Sequence, residues 1–145
     1  MRVIDVFSAH KDCTSKVRPK KEFLNLIEGY GIEGDKFAGK DLDQTVMIVP
    51  IDGYEILKKE GIELEFGSLG ENILVDFNIM ELPKGTKLRI GEAELQITEH
   101  CTLCNHLAYF DKRVPKLVKD HRGVYCKILK SGKVKKGDEV AVAKT

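Results

Sequence analysis

The chain has 145 residues, of which 42% are hydrophobic and 32% charged, and its formal net charge is +1. This length is most simply one domain over residues 1–145, long enough to bury a core, and the balanced composition excludes a disordered chain. A net charge so close to zero gives no general reason to expect nucleic acid or a membrane as a partner.

The first third of the chain predicts short strands separated by polar loops. Residues 3–7 and 23–27 alternate enough to predict two strands, and the segment 29–35 carries three glycines typical of a turn. Between the strands, residues 10–21 predict a loop with five basic side chains and one acid. The first five residues include Asp5, a carboxylate where a signal peptide needs apolar side chains, so we expect a cytoplasmic protein with reduced thiols.

The middle of the chain predicts one strand, one helix and a glycine turn. Residues 45–49 are apolar and predict a strand. We expect Asp52 to cap a short helix that ends before Gly61. The turn 66–72 then leads into an apolar strand at 73–75.

The later part predicts a hairpin and two further strands. Residues 88–90 and 93–97 place five apolar side chains on one face across the two-residue turn Gly91–Glu92. A helix over 111–119 is weakened by Pro115, and 124–129 and 139–143 predict late strands. About eight short strands with few short helices predict a mostly β domain, and a closed or nearly closed β-barrel would remove its sheet edges.

Nine residues, 98–106, contain two of the four cysteines and two of the four histidines. We predict that Cys104 is the working thiol and Cys101 its accessory, because nearby cations and a following helical turn stabilise a thiolate. Three other interpretations remain open for Cys104: a buried packing residue, one ligand of a zinc site shared with Cys101, His100 and His106, or half of a dithiol redox site.

Other residues are candidates with weaker signals. Cys126 shares an apolar strand face and is predicted to pack in the core, whereas Cys13 is predicted to be exposed. Two basic groups, in 11–21 and in 112–122, would form an anion-binding rim if they met beside Cys104. Asn72 could donate hydrogen bonds to a ligand, and Glu71 could orient a neighbour.

Six segments in this order resemble the MOSC domain, the family named for the C-terminal region of molybdenum cofactor sulfurase. The segments are residues 31–39, 67–73, 88–93, the thiol at 104, residues 122–125 and residues 132–138. The resemblance covers nearly the whole chain. It implies a β-barrel-rich fold in which one cysteine, by position Cys104, is the functional residue.

The resemblance implies two activities. Some members are proposed to carry sulfur as a cysteine persulfide received from a pyridoxal-phosphate-dependent cysteine desulfurase. Others bind the molybdenum cofactor (molybdopterin), with the cysteine ligating molybdenum, and reduce N-hydroxylated compounds. We favour a sulfur-carrier or cofactor-handling protein, since no counterpart of the reductases' N-terminal domain is expected here.

The favoured interpretation assigns a role to each candidate residue. Cys104 would carry sulfur or touch molybdenum, and Cys101 would assist it. The expected partners are the desulfurase or proteins of cofactor biosynthesis. The side chains expected to favour the thiolate, the cofactor or another anion are those of Glu71, Asn72, His100, Lys112, Arg113 and Arg122.

Overall fold

The computed structural model describes residues 1–102 and 105–143, which fold mostly as β-strands. The strands are β1 (Val3–Phe7), β2 (Lys20–Lys21), β3 (Phe23–Ile27), β4 (Gly31–Ile32), β5 (Val46–Pro50), β6 (Ile73–Val75), β7 (Lys87–Ile90), β8 (Ala93–His100), β9 (Val124–Lys130), β10 (Gly132–Lys135) and β11 (Val140–Val142). Two α-helices, α1 (Asp52–Lys59) and α2 (Val114–Leu117), and three 3-10 helices, Leu42–Gln44, Ile79–Glu81 and Asn105–Tyr109, complete the described elements.

The strands form two sheets. The larger has eight strands in the order β11-β7-β8-β9-β5-β6-β1-β2, and the smaller has three in the order β10-β3-β4. All neighbouring strands are antiparallel except β5 and β6, which run parallel with Ile48 opposite Ile73. The mostly β class predicted from the sequence is therefore confirmed.

The predicted β-barrel is not supported, because the described strands do not close into one. The large sheet has two different end strands, β11 and β2. One isolated bridge between Arg2 and Glu139, with a backbone hydrogen bond of 2.8 Å from Val3 N to Asp138 O, brings the start of β1 beside the segment before β11. The described strands form no continuous ladder between β1 and β11 beyond this contact, so the closure that the sequence pattern suggested is incomplete.

The hairpin of β7 and β8 has the predicted register. Ile90 lies opposite Ala93 and Leu88 opposite Leu95 across the turn at Gly91–Glu92. All four of these side chains are buried. The alternation of apolar and polar residues sets this register, because a shift by one residue would turn the apolar set towards solvent.

The large sheet is covered on both faces. Val46 and Ile48 of β5 belong to a core shared with Leu24 of the small sheet. Met47 and Val49 of the same strand belong to a second core, whose other members include Leu57 of α1 and Val114 of α2. Burial on both faces explains why β5 is apolar at every position instead of alternating.

The two helix predictions differ from the structure in detail. Asp52 is the first residue of α1 instead of its cap, and Ile51 at the cap position makes no side-chain capping hydrogen bond. Helix α2 is shorter than the predicted 111–119, and Pro115 lies in its first turn, where the missing N–H costs little. Among the described residues, no helix has the length and apolar character needed to cross a membrane.

Candidate functional site

The loop 67–72, between α1 and β6, forms the centre of the candidate site. Tyr54 of α1 fixes the conformation of this loop. Its phenolic oxygen accepts hydrogen bonds from the backbone N–H of Gly67 at 3.1 Å and of Leu69 at 3.2 Å. The same hydroxyl donates to Glu71 Oε2 at 2.6 Å. One buried tyrosine therefore fixes three residues of the loop.

Asn72 joins the ends of two strands. Its Oδ1 accepts the N–H of Met47 at 3.0 Å, and its Nδ2 donates to the carbonyl of Phe7 at 3.2 Å. The side chain is buried. The predicted hydrogen bond from Asn72 to a ligand stays a prediction, and in this structure the amide bonds to backbone groups of β5 and β1.

Two arginines approach the loop from different parts of the chain. Arg122, just before β9, is buried and donates from Nη1 to Leu69 O at 2.7 Å. Arg18 comes from the basic loop 10–21, and its Nη1 lies 3.8 Å from Asp35 Oδ1. Burial lowers the pKa of Arg18, and the carboxylates of Asp35 and Glu71 partly offset that effect.

Two buried polar atoms at this site lack a hydrogen-bond partner among the described residues. They are Arg18 Nη1, a donor, and Glu71 Oε1. Burial raises the pKa of Glu71, while its hydrogen bond from Tyr54 and the charge of Arg122 act in the opposite direction. The Glu71 carboxyl group is fully buried, so it stays neutral up to a higher pH than an exposed glutamate does.

Cys101 directly follows β8 and packs in the second core, on the face of the large sheet that α1 and α2 cover. Its thiol is buried, and Sγ lies 3.6 Å from the hydroxyl of Tyr125. Burial and this contact raise the pKa of Tyr125 to about 12, while the charge of Arg122 opposes them. The predicted accessory thiol is therefore covered, with Tyr125 as a neighbour.

The two basic groups meet only in part. His106 is the last residue of the 98–106 segment, and desolvation together with the charges of Arg122, Arg18 and Lys16 lowers its pKa. Lys16 and Arg18 belong to the first predicted group and Arg122 to the second. The structure thus brings three of the predicted cations within electrostatic range of one imidazole.

Three other predicted site residues lie at exposed positions. Arg113 is exposed and bonds to Asp111, with Nη2 at 3.1 Å from Oδ2, and Lys112 beside it is also exposed. His100 is exposed, and its Nε2 lies 2.8 Å from Leu82 O. Whether any of these three contributes to binding remains a prediction.

The predicted working thiol, Cys104, lies outside the described residues, as does Leu103. Within residues 1–102 and 105–143, no group of three His, Cys, Asp or Glu side chains is arranged to hold a metal ion. Cys126 is fully buried, as predicted, and burial raises the pKa of its thiol well above the usual value. Cys13, predicted to be exposed, is half-buried.

Sequence reasoning missed Arg18, Asp35 and Tyr54 as members of the site. Asp35 anchors the end of the 29–35 turn: Oδ1 accepts from Ser8 Oγ at 2.7 Å, and Oδ2 accepts from Phe37 N at 3.0 Å. The sequence placed Arg18 only in a generally basic loop. No local pattern marks Tyr54, because its partners lie 13 to 17 positions further along the chain.

A known sequence family matches a region that contains both the loop 67–72 and Arg122. The profile of the MOSC domain matches residues 34–141, most of the chain. The chain belongs to the MOSC domain family. A comparison with curated proteins finds no significant match.

Solved structures share this MOSC fold at low sequence identity. The YuaD protein from Bacillus subtilis aligns with a TM-score of 0.80 at 19% identity, covering 96% of this chain and 93% of that protein. YiiM from Escherichia coli aligns with a TM-score of 0.74 at 20% identity, covering 100% and 71%. YiiM from Geobacillus stearothermophilus aligns with a TM-score of 0.71 at 16% identity, covering 99% and 73%. These likenesses show the fold of the MOSC chain.

Proposed function

We propose that this MOSC chain is a sulfur-carrier or molybdenum-cofactor-handling protein that acts through Cys104. The family is associated with molybdenum-cofactor proteins. The observation that carries the proposal is the approach of two arginines to the loop 67–72, where Arg122 Nη1 donates to Leu69 O at 2.7 Å and Arg18 N donates to Gly67 O at 3.0 Å. Desolvation is the largest cause of the lowered pKa of His106, two positions after Cys104 in the sequence, and the charges of Arg122, Arg18 and Lys16 add to it. A positive potential that disfavours the protonated imidazole also favours a thiolate at the neighbouring cysteine.

Sulfur transfer needs an ionised thiol that can reach its donor. The Cys104 thiolate attacks the outer sulfur of a cysteine persulfide on the donor protein. A new S–S bond forms on Cys104, the donor's S–S bond breaks, and the donor cysteine leaves as a thiolate that takes up a proton. No external oxidant is required, because the sulfane sulfur moves between two equivalent thiols.

The residues of the site also fit an anionic cofactor. Arg18 Nη1 is a buried donor without a hydrogen-bond partner among the described residues, and Arg122, from the segment before β9, donates to Leu69 O of the loop 67–72. A phosphate group accepts from such guanidinium donors in charge-assisted hydrogen bonds. If the protein handles the cofactor, Arg18 and Arg122 would hold the phosphate of molybdopterin, and the bound molybdenum would supply redox chemistry.

The test of the sulfur-carrier arm is the mass of the protein after exposure to a donor. We expect incubation with a cysteine desulfurase and L-cysteine to add one sulfur to the wild type and none to Cys104→Ser. Cys13→Ser, which removes a half-buried cysteine with no assigned role, is the matched control and is expected to keep the addition. Absence of added sulfur on the wild type, or equal addition to Cys104→Ser, contradicts the carrier role.

The cofactor arm is tested on protein expressed in a host that makes the cofactor. Molybdenum analysis and pterin fluorescence measure loading directly. We expect Arg18→Gln to lower the bound pterin severalfold, because a neutral amide cannot replace the charged donor. Equal loading of the variant and the wild type contradicts the assignment of Arg18.

A further inference from the structure

A set of cations stacked on exposed aromatic rings lies beside the site. The side chains of Arg18, Lys36 and Lys40 lie 5.1, 5.5 and 5.8 Å from the ring centroid of Phe37. Lys16 lies 5.6 Å from the ring centroid of Tyr109. We call this surface the aromatic–cation rim, and its members are Lys16, Arg18, Lys36, Phe37, Lys40 and Tyr109.

Arg18 connects the Phe37 part of the rim to the site. Arg18 belongs to both, since its guanidinium group stacks on Phe37 and also interacts with Glu71 and Arg122. Lys36 is tied to the first strand region by a hydrogen bond of 2.8 Å from its N–H to Ala9 O. Asp35, the acid inside this turn, is buried and engaged by Ser8 and Phe37.

The rim has the composition of a protein interface. Phe37 is 40% exposed and Tyr109 is 68% exposed, although large aromatic side chains are usually more deeply buried in a monomer. Aromatic residues and arginine are enriched in interfaces, where they contribute a large share of the binding energy. A small anion would be held by the buried donors of Arg18 and Arg122, and it would leave the outer lysines and both rings unused.

The charge of the rim selects the partner. The rim carries four cations, of which Arg18 lies beside the carboxylate of Asp35, and its three lysines form no ion pair within the part of the chain that the structure describes. Nucleic-acid-binding domains are strongly basic overall, whereas this chain is nearly neutral. An acidic protein surface therefore fits the rim better than a nucleic acid does.

We propose that the aromatic–cation rim is the docking surface for an acidic face of the protein that delivers sulfur to Cys104. The inference rests on the proposed function and adds the chemistry by which the donor is recognised. Opposite charges steer two proteins together and raise the association rate, and salt weakens that effect. Delivery by a small donor would not depend on the rim.

The experiment compares sulfur loading from a protein donor and from a small donor. The protein donor is a cysteine desulfurase supplied with L-cysteine, and the small donor is inorganic polysulfide. The intact mass of the protein, followed against time, gives the loading rate from each donor. The rim variant is Lys36→Glu with Lys40→Glu, and Lys36→Gln with Lys40→Gln removes the charges without reversing them. The matched control is Lys130→Glu with Lys136→Glu, two exposed lysines outside the rim, of which Lys130 lies at the opposite end of β9 from Tyr125.

We expect the charge reversal to slow loading from the desulfurase by about tenfold at low salt, the glutamine pair to give an intermediate rate, and high salt to reduce the difference. The control pair and all polysulfide rates should match the wild type. Equal slowing of the rim and control variants, or wild-type loading of the rim variant from the desulfurase, overturns the docking proposal.

Two further results would separate failure of the docking proposal from failure of the proposed function and from nucleic-acid binding. If neither the desulfurase nor polysulfide adds sulfur to the wild type, the proposed function itself fails, and the docking proposal falls with it. If the rim variants lose binding to a single-stranded oligonucleotide while loading from the desulfurase is unchanged, the rim belongs to nucleic acid and the docking proposal is wrong.

Discussion

At the scale of single residues, the hydrogen bonds around Glu71 constrain its protonation. The Tyr54 hydroxyl accepts two backbone N–H groups, so both its acceptor positions are used and its proton goes to Glu71 Oε2. A proton on Glu71 must then lie on Oε1, the oxygen without a partner among the described residues. A neutral Glu71 would present a hydrogen-bond donor near Arg18 and Arg122.

We predict that Glu71→Gln changes how stability depends on pH. The folded-state pKa of Glu71 is raised above 4.5, so its proton stabilises the folded state fully below that value, and this contribution is lost as pH rises through the raised pKa. The charges facing Glu71 are those of Arg18 and Arg122, and Tyr54 is its hydrogen-bond partner. The permanently neutral glutamine removes this dependence.

Urea unfolding at several pH values measures the effect. We expect the stability of the wild type, relative to Glu71→Gln, to fall as pH rises above 4.5. Glu63→Gln, at an exposed position, controls for the loss of a surface acid. A difference between wild type and Glu71→Gln that is independent of pH would show that the carboxyl group ionises normally in the fold.

At the scale of elements, the loop 67–72 and the basic loop support each other. Arg18 N donates to Gly67 O at 3.0 Å, which fixes the backbone that carries the Arg18 guanidinium group. Gly67 has φ +98°, and a Cβ there would lie 2.5 Å from Arg18 O. The glycine is therefore required both by its backbone conformation and by the close approach of the second loop.

We predict that Gly67→Ala is more damaging than Gly61→Ala. Gly61, at the end of α1, also has a positive φ of +78°, but a Cβ there would meet nothing within 4 Å. Gly61→Ala should cost about 1 kcal/mol from the backbone conformation alone, and Gly67→Ala about 3 kcal/mol because it also displaces the Arg18 backbone. Denaturant unfolding measures both, and equal losses would show that the two loops separate freely.

At the scale of the whole molecule, the large sheet separates two apolar cores. Cys126 lies on β9, between β8 and β5, in the core that faces the small sheet. Helices α1 and α2 cover the other face, where Cys101 packs with the second core. Exposure of Cys126 to solvent therefore requires the large sheet and the small sheet to come apart.

We predict that Cys126 resists alkylation in the folded protein. Its fully buried thiol has a raised pKa, and the thiolate is the reactive form. Half-buried Cys13 should react with iodoacetamide under native conditions, and Cys126 only in denaturant. Peptide mapping after a short pulse of iodoacetamide measures the labelling of each cysteine. Labelling of Cys126 in the folded protein as fast as that of Cys13 would contradict the burial of Cys126.

The sequence by itself determined the local elements and the family. The alternation in 88–90 and 93–97 set the hairpin register, because side-chain period and burial are coupled locally. The apolar run in 45–49 indicated a strand, and the structure shows that this strand is buried on both faces. The ordered glycine-rich segments were enough to indicate the MOSC domain, which the match over 34–141 confirms.

Only the tertiary structure decided the composition of the site. Arg122 meets Leu69 across 53 positions of the chain, and Asp35 meets Ser8 across 27. The extent of sheet closure is also non-local, because it depends on how the start of β1 meets the segment before β11. Periodicity reports which face of an element is buried, whereas the contacts between distant loops depend on how the completed sheets bring those loops together.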